Sequence, residues 1–294
     1  MLVSRLLMLG VVVLALPAIA SAQTFTIYDQ FKGPLSAALW GGFEANTNFA
    51  VISNTESRRA VVQPSPLVAN RFLQLTLVTG HPGTVINTGA AGVGQQILRV
   101  MRDDIVSGDV AVTGLRTKLV MAAAAASACP SGDTSTLARA RMLASFFNDG
   151  SSAGPGDATG DILAELNVEL QTATSGGVTR TITALMTRCE DALCNSAETV
   201  SETFTRRWKT GVPVPLAVVW DRANGRFVYT AGAGTTVEQH AISYAPSAVA
   251  GPSVLNFHDL RVANTLPACA TAVRATTAAR FDFLQVSTEA DVFP

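Results

Sequence analysis

The sequence is poor in charged and aromatic side chains. Asp, Glu, Lys and Arg make up 15% of its 294 residues, and 21 basic residues nearly balance 22 acidic ones. A near-neutral chain with scattered charges lacks the electrostatic attraction on which nucleic-acid binding depends, so no nucleic acid is expected as a partner. Aromatic residues account for 6%, which argues against a long binding cleft paved with stacking platforms.

Long apolar runs are missing beyond the first 22 residues. No later stretch approaches the roughly 20 apolar residues that span a bilayer, so no transmembrane segment is expected there. At the start, Arg5 precedes the apolar stretch 6–16, and residues 20–22 are the small residues of a cleavage site. These features predict a secretory signal peptide over 1–22. Residues 23–294 are then exported as one domain to the periplasm, the cell surface or the medium.

Cysteine and histidine are also scarce. The three histidines lack metal-ligand spacing, and no sharp turn marks a serine nucleophile. Four cysteines form an even set, which predicts two disulfides in an oxidising compartment. Three connectivities are possible. The short spacing favours Cys189–Cys194, which leaves Cys129 to pair with Cys269, and a zinc site is the less favoured alternative.

Sustained helical periodicity is absent, whereas period-two alternation recurs along the chain. This pattern predicts an all-β sandwich. The predicted strands cover residues 25–31, 49–53, 59–63, 72–79, 110–121, 138–147, 162–171, 178–188, 216–221, 226–230 and 281–287. Between two of them, Asn224-Gly225 predicts a hairpin closed by a type I′ turn, because both residues tolerate a positive φ.

Four phrases of the sequence follow one another in a recognisable order. The first phrase is Asp29-Gln30-Phe31 followed by Leu39-Trp40. The other three are the strand-like stretch 72–77, the hairpin 216–229 and the stretch 280–286. This order resembles the concanavalin A-like lectin and glucanase superfamily. The resemblance implies a jelly-roll sandwich of two antiparallel sheets, and it speaks for the fold more than for any activity.

The stretch Glu165-Leu166-Asn167-Val168-Glu169 places two carboxylates on the polar face of a strand whose other face is apolar. It is similar to the Glu-x-Asp-x-Glu motif of the family sixteen glycoside hydrolases. The similarity implies that Glu165 is the nucleophile and Glu169 the acid/base of a retaining mechanism. Asn167 replaces the middle Asp of that motif, and the missing charge weakens the prediction of a hydrolase.

Two other interpretations of these residues stay open. In the first, the carboxylates form ordinary surface ion pairs with arginines of neighbouring strands, namely Arg139, Arg141, Arg180 and Arg188. In the second, the same face binds a glycan without cleaving it. Asn167, Arg139 and Arg141 then form hydrogen bonds to sugar hydroxyls, and Trp208 or Tyr244 stacks on a sugar ring.

The resemblance also implies one structural calcium ion, held by Asp282 together with backbone carbonyl oxygens. No other cofactor is predicted. Taken together, the sequence predicts an exported, disulfide-bonded module that binds without catalysis, or associates with a surface, and the favoured partner is a polysaccharide or cell-surface glycan. The alternatives are a retaining glycoside hydrolase using Glu165 and Glu169, and a structural envelope or matrix protein.

Overall fold

The computed structural model describes residues 23–36, 39–47, 53–62, 71–81, 92–100, 110–132, 134–232, 234–245, 248–255, 258–267 and 269–290. The predicted signal peptide 1–22, residues 49–52 of one predicted strand and Gln63 of the next lie outside these ranges. The described part contains two short 3-10 helices, η1 (Arg222–Asn224) and η2 (Gly234–Thr236). No helix among the described residues is long and apolar enough to cross a membrane.

Strands account for most of the described chain. They are β1 (Thr26–Asp29), β2 (Trp40–Thr47), β3 (Ser53–Val62), β4 (Phe72–His81), β5 (Gly92–Val100), β6 (Val110–Ala126), β7 (Thr136–Asn148), β8 (Asp161–Thr172), β9 (Val178–Cys189), β10 (Ala197–Thr203), β11 (Pro213–Asp221), β12 (Arg226–Ala231), β13 (Glu238–Ser243), β14 (His258–Leu266) and β15 (Val273–Ala290). The sequence does not predict β2, β5, β10, β13 or β14.

These strands form two antiparallel sheets that pack face to face. The eight-stranded sheet has the order β13-β12-β11-β6-β15-β4-β3, and β1 also pairs with β15. The seven-stranded sheet has the order β10-β9-β8-β7-β14-β5-β2. The prediction of an all-β jelly-roll sandwich is therefore confirmed.

The core lies between the sheets because most strands alternate apolar and polar residues and turn the apolar ones inward. Leu166 and Val168 of β8 meet Leu216 and Val218 of β11 in one buried cluster. Aromatic rings add to it, for example Phe147 of β7, whose ring stacks on that of Trp220 in β11 at 5.2 Å between centroids. Burial of these side chains supplies the main driving force for folding.

A buried amide joins the two sheets inside this core. Asn264 of β14 is fully buried, and its Nδ2 lies within 3.2 Å of the carbonyl oxygens of Leu77 and Ala275 and of Thr79 Oγ1. Thr277 Oγ1 donates to Asn264 Oδ1 at 2.6 Å. Because a buried amide must find partners, these bonds fix how β14 sits against β4 and β15.

The first phrase of the superfamily resemblance folds into one compact contact. Trp40 Nε1 donates to Asp29 Oδ2 at 2.7 Å, and the backbone N–H of Phe31 donates to Asp29 Oδ1 at 2.6 Å. The Tyr28 ring meets that of Trp40 edge-on at 5.2 Å between centroids. The contact ties β1 of one sheet to the beginning of β2 in the other.

The predicted hairpin is confirmed, but its turn type is not. β11 and β12 pair, and their last ladder pair is Asp221 with Arg226. Four residues connect them: η1 occupies the first three, and Gly225 takes the left-handed φ of 58°. The Asp221 carboxylate explains the longer turn, because Asn224 Nδ2 and Arg226 Nε both donate to it. The type I′ prediction is therefore wrong.

Both predicted disulfides are present. Cys129–Cys269 and Cys189–Cys194 have Cα–Cα distances of 5.8 and 4.8 Å, and no free cysteine occurs among the described residues. A zinc site is therefore excluded for these four residues. Cys129 follows β6 of one sheet and Cys269 follows β14 of the other, so this bond links the two sheets. Two disulfides are typical of exported proteins.

Removal of each disulfide tests how much it stabilises the fold. The bonds close loops with sequence separations of 140 and 5 residues. The chain-entropy relation gives about 5 kcal/mol for Cys129–Cys269 and about 2 kcal/mol for Cys189–Cys194. The double substitution Cys129→Ala/Cys269→Ala is therefore expected to lower the free energy of urea unfolding more than Cys189→Ala/Cys194→Ala. Equal losses for the two variants would contradict this account.

Candidate functional site

The candidate site lies on the outer face of the seven-stranded sheet, the face turned away from the core. In β8, Leu166 and Val168 point into the core, so Glu165, Asn167 and Glu169 point outward, as predicted. Neighbouring strands add charged residues to this face. We call the following group the mixed-charge face: Arg139, Arg141, Glu165, Asn167, Glu169, Asp259 and Arg261.

Glu165 is held on both carboxylate oxygens. Arg141 Nη1 lies 3.2 Å from Glu165 Oε2, and Asn167 Nδ2 donates to Glu165 Oε1 at 3.0 Å. Glu169 is held more loosely, because Arg139 Nη1 is 3.8 Å from its Oε2. The sequence prediction that Arg139 and Arg141 pair with these carboxylates is confirmed.

Two members of the mixed-charge face are not predicted from the sequence. Asp259 and Arg261 of β14 form an ion pair with each other, and Arg261 is the ladder partner of Arg141. The sequence signal that could have found them is the alternation of β14, in which Leu260 and Val262 point to the core and Asp259 and Arg261 point outward. The site is therefore wider than β7 and β8.

The mixed-charge face is far less exposed than an ordinary sheet surface. Glu165 is 7% exposed, Asn167 4% and Asp259 1%. Leu143 and Leu185 flank Glu165 on the adjacent strands and reduce its contact with water. Charges buried to this extent need partners, because removing a charged group from water costs several kcal/mol unless an opposite charge or hydrogen bonds compensate for it.

A loop closes one end of this face. The Asp161 carboxylate is fully buried and accepts hydrogen bonds from Ser253 Oγ at 2.8 Å and from the Leu255 backbone N–H at 2.7 Å. These bonds bring Leu255 against Leu143 and Leu163 on the outer side of the sheet. The charged groups of the mixed-charge face therefore lie beside a cluster of leucine side chains.

The mixed-charge face contains polar atoms that are buried without a hydrogen bond from any described residue. Among them are Asn167 Oδ1, an acceptor, and Arg139 Nε, a donor. Leaving such a group unsatisfied costs about 1 to 3 kcal/mol. A hydroxyl, which can donate and accept, would satisfy either of them.

Burial shifts the proton affinities of this face. Burial raises the pKa of Glu169, the Arg139 guanidinium opposes that rise, and the nearby Glu165 carboxylate adds to it. Burial also lowers the pKa of Arg141, against the attraction of Glu165. Two carboxylates four residues apart thus have different environments, one held by two hydrogen-bond donors and one loosely paired.

The other two arginines proposed as partners do not reach the carboxylates. In the β8–β9 ladder, Arg180 lies opposite Leu170 and Arg188 lies opposite Ile162, in phase with the apolar residues of β8. Arg188 Nε instead donates to Asp149 at 2.6 Å. The prediction of these two pairs is wrong, because the register places both arginines on the other phase of the sheet.

The two aromatic residues proposed to stack on a sugar are directed elsewhere. Trp208 is 2% exposed, and its Nε1 donates to the Glu169 carbonyl oxygen at 2.8 Å. Tyr244 packs against the Phe147 ring at 4.9 Å and accepts a hydrogen bond from Trp220. Burial of Trp208 shows that its stacking prediction is wrong, whereas Tyr244 is half-buried against core aromatic rings and its stacking on a sugar stays a prediction.

Asp282, the residue proposed to hold calcium, lies in cationic surroundings. Its carboxylate pairs with Lys118, and it lines a hollow of about 190 Å³ together with Lys32 and Arg71. Calcium requires six to eight oxygen ligands. Among the described residues no group of three or more His, Cys, Asp or Glu is placed to hold a metal. These surroundings do not fit a calcium ion.

Comparisons with known proteins give likenesses in structure alone. No protein-family model matches the chain, and no curated protein matches it significantly. An endo-1,3-β-glucanase from Streptomyces sioyaensis is similar at 12% identity and a TM-score of 0.46, over 94% of this chain and 100% of that one.

Two further solved structures span most of both chains. A family 16 glycoside hydrolase from Bacteroides ovatus has 8% identity and a TM-score of 0.43, over 88% of this chain and 98% of that one. Lectin II from Ulex europaeus has 13% identity and a TM-score of 0.33, over 84% and 98%.

The raised pKa of Glu169 predicts a pH-dependent stability difference. A carboxyl whose pKa is higher in the folded state stabilises the fold below its usual value of 4.5, and that contribution is lost as pH rises through the folded pKa. Glu169→Gln removes the titration. The unfolding free energy of the variant, relative to the unmodified protein, is therefore expected to increase from pH 4 upward and then level off.

Urea unfolding at several pH values measures this difference. The matched control is Glu198→Gln, since Glu198 is exposed on β10, where every residue is exposed. The same pH dependence in both variants would show that the environment of Glu169 is not special.

Proposed function

We propose that the mixed-charge face binds a neutral glycan and does not cleave it. The observation that carries the proposal is Asn167 Oδ1, an acceptor that is buried at the centre of this face and receives no hydrogen bond from the described residues. Sugar hydroxyls donate and accept hydrogen bonds. They match a surface on which guanidinium donors alternate with carboxylate and amide acceptors.

The charge of this face supports a neutral ligand. Three arginines, Arg139, Arg141 and Arg261, stand beside three carboxylates, Glu165, Glu169 and Asp259. An ionic ligand would meet an equal number of like charges there. A ligand rich in hydroxyls can instead bond to the remaining donors and acceptors without carrying a charge into a poorly solvated site.

The contacts of Glu165 support binding rather than cleavage. Each oxygen of Glu165 accepts a hydrogen bond, one from Arg141 and the other from Asn167, and these bonds lower its nucleophilicity. The guanidinium stabilises the negative charge that the attack would consume. Asn167 also cannot share a proton with Glu165, as an aspartate could.

Asn167→Ala tests the proposal directly. Because the variant loses the buried acceptor, its affinity for a neutral glycan is expected to fall roughly threefold to tenfold, the worth of one neutral hydrogen bond. Affinity electrophoresis in β-glucan, galactan and xylan identifies the glycan, and calorimetry measures the affinity.

The matched control is Gln171→Ala. Gln171 is another amide of β8 in the same strand phase, and its Nε2 donates to Ser135 Oγ at 2.9 Å. Its loss is expected to leave glycan affinity unchanged. Absence of binding to every neutral glycan, or equal weakening by both substitutions, would contradict the proposal.

A second candidate function, retaining glycoside hydrolysis, is favoured by the raised pKa of Glu169. An acid/base carboxyl must hold a proton near neutral pH, and burial raises the pKa in that direction. Glu165, fixed by two donors, would be the nucleophile in this case.

Reducing-end release from the same glycans separates the two candidates. Under the binding proposal the unmodified protein releases no more sugar ends than Glu165→Gln or Glu169→Gln, while it still binds the glycan. Release that either substitution abolishes would establish the hydrolase, because each carboxylate is indispensable to a double-displacement mechanism.

A further inference from the structure

A concave site lies where the loop 204–212 passes η2. It is an open hollow of about 750 Å³, which we call the basic hollow, and its lining includes Arg206, Arg207, Trp208, Lys209, Val212 and Glu238. None of these residues belongs to the mixed-charge face. The basic hollow is therefore a separate feature that the proposed function does not use.

The carboxylate in the basic hollow is committed to holding the loop. Glu238 accepts hydrogen bonds from the backbone N–H groups of Thr205 at 2.7 Å and Arg206 at 3.0 Å, and from Thr205 Oγ1 at 2.9 Å. Its Oε1 also lies 2.9 Å from His240 Nε2. The Glu238 carboxylate is thus occupied by its own donors, and three cationic side chains against this one carboxylate give the lining a net positive charge.

The three cations differ in how firmly they are held. Arg206 Nη1 donates to the carbonyl oxygen and to Oγ1 of Thr236, at 2.9 and 2.8 Å. Arg207 is exposed and donates with one Nη to the Arg180 carbonyl oxygen at 3.2 Å. Lys209 is exposed and forms no ion pair with a described residue. Arg207 and Lys209 therefore retain donors for an external anion.

The rest of the lining is apolar except for Thr205 and Thr236, whose hydroxyls are bonded to Glu238 and Arg206. Val212 and Val237 are 43% and 44% exposed, and Trp208 and Val214 are buried behind them. Exposed valines beside cations suit a ligand that is apolar on one side and negatively charged on another. A sugar ring with an acidic substituent has this character, because its C–H groups pack on apolar side chains while its anion pairs with the cations.

We propose that the basic hollow binds an acidic sugar unit, whose carboxylate or sulfate group lies between Arg207 and Lys209. A planar carboxylate or a sulfate can accept two parallel hydrogen bonds from the Arg207 guanidinium, and Lys209 adds a point charge. The inference goes beyond the proposed function, since it assigns a second ligand class to residues outside the mixed-charge face.

The experiment measures binding of the purified protein to polygalacturonate, which carries carboxylates, and to ι-carrageenan, which carries sulfates. Binding to either polymer is expected, with an affinity that decreases as salt is added. Arg207→Gln/Lys209→Gln is expected to weaken it about tenfold or more, because two charge-assisted hydrogen bonds are lost. The polymer that binds more tightly identifies the acidic group.

The matched control is Arg58→Gln/Arg222→Gln, which removes two exposed positive charges elsewhere on the protein. It is expected to bind like the unmodified protein. Lys209→Gln alone is the second variant, since this exposed side chain has no described hydrogen bond whose loss would disturb folding. Near-ultraviolet circular dichroism verifies the fold of each variant.

Three outcomes would overturn the inference: no binding to either acidic polymer, equal weakening by the control, or single-stranded DNA bound as tightly as the acidic polymers. The result is separable from the proposed function. Arg207→Gln/Lys209→Gln is expected to bind neutral glycan normally, and Asn167→Ala is expected to bind the acidic polymer normally.

Discussion

The structure depends above all on how β8 is buried on both of its faces. Its inner face supplies Leu166 and Val168 to the core, while its outer face carries Glu165 at 7% exposure. A carboxylate in that position is compatible with a stable sheet only if donors surround it, and Arg141 and Asn167 provide them. The site and the stability of the sheet therefore rest on the same contacts.

The two proposed binding sites differ in the principle by which they select a ligand. The mixed-charge face is balanced in charge and poorly solvated, so hydrogen-bonding geometry decides what binds. The basic hollow is open and has an excess of positive charge around Arg207 and Lys209, so charge decides there. Trp208 contacts both regions, because it lines the hollow and its indole N–H donates to the backbone carbonyl oxygen of Glu169.

The sequence predicts strands well where alternation and β-branched or aromatic residues coincide, as in β8, β11 and β12. It fails where one signal is missing. β10 is exposed along its whole length, so its residues Ala197–Thr203 show no alternation. β6 continues through the alanines 122–126, which have low strand propensity, because the backbone of residues 123–126 pairs with β15.

The site is predicted in part for similar reasons. Alternation places Glu165, Asn167 and Glu169 on one face, and the ladder then brings Arg139 and Arg141 opposite Glu169 and Asn167. Register between strands cannot be deduced from one sequence. The sequence therefore cannot predict which residues lie opposite Arg180 and Arg188. Trp208 shows a different limit, since polar neighbours in sequence say nothing about the direction in which a ring points.

The position of β15 in the eight-stranded sheet has a consequence for the order of events during biogenesis. This strand pairs with β1, β4 and β6, all of which precede it by well over a hundred residues. The centre of that sheet cannot close until β15 has been synthesised, which favours slow folding after translation. A chain that stays unfolded for that long is compatible with the export that the sequence predicts, in which the chain crosses a membrane before its cysteines are oxidised.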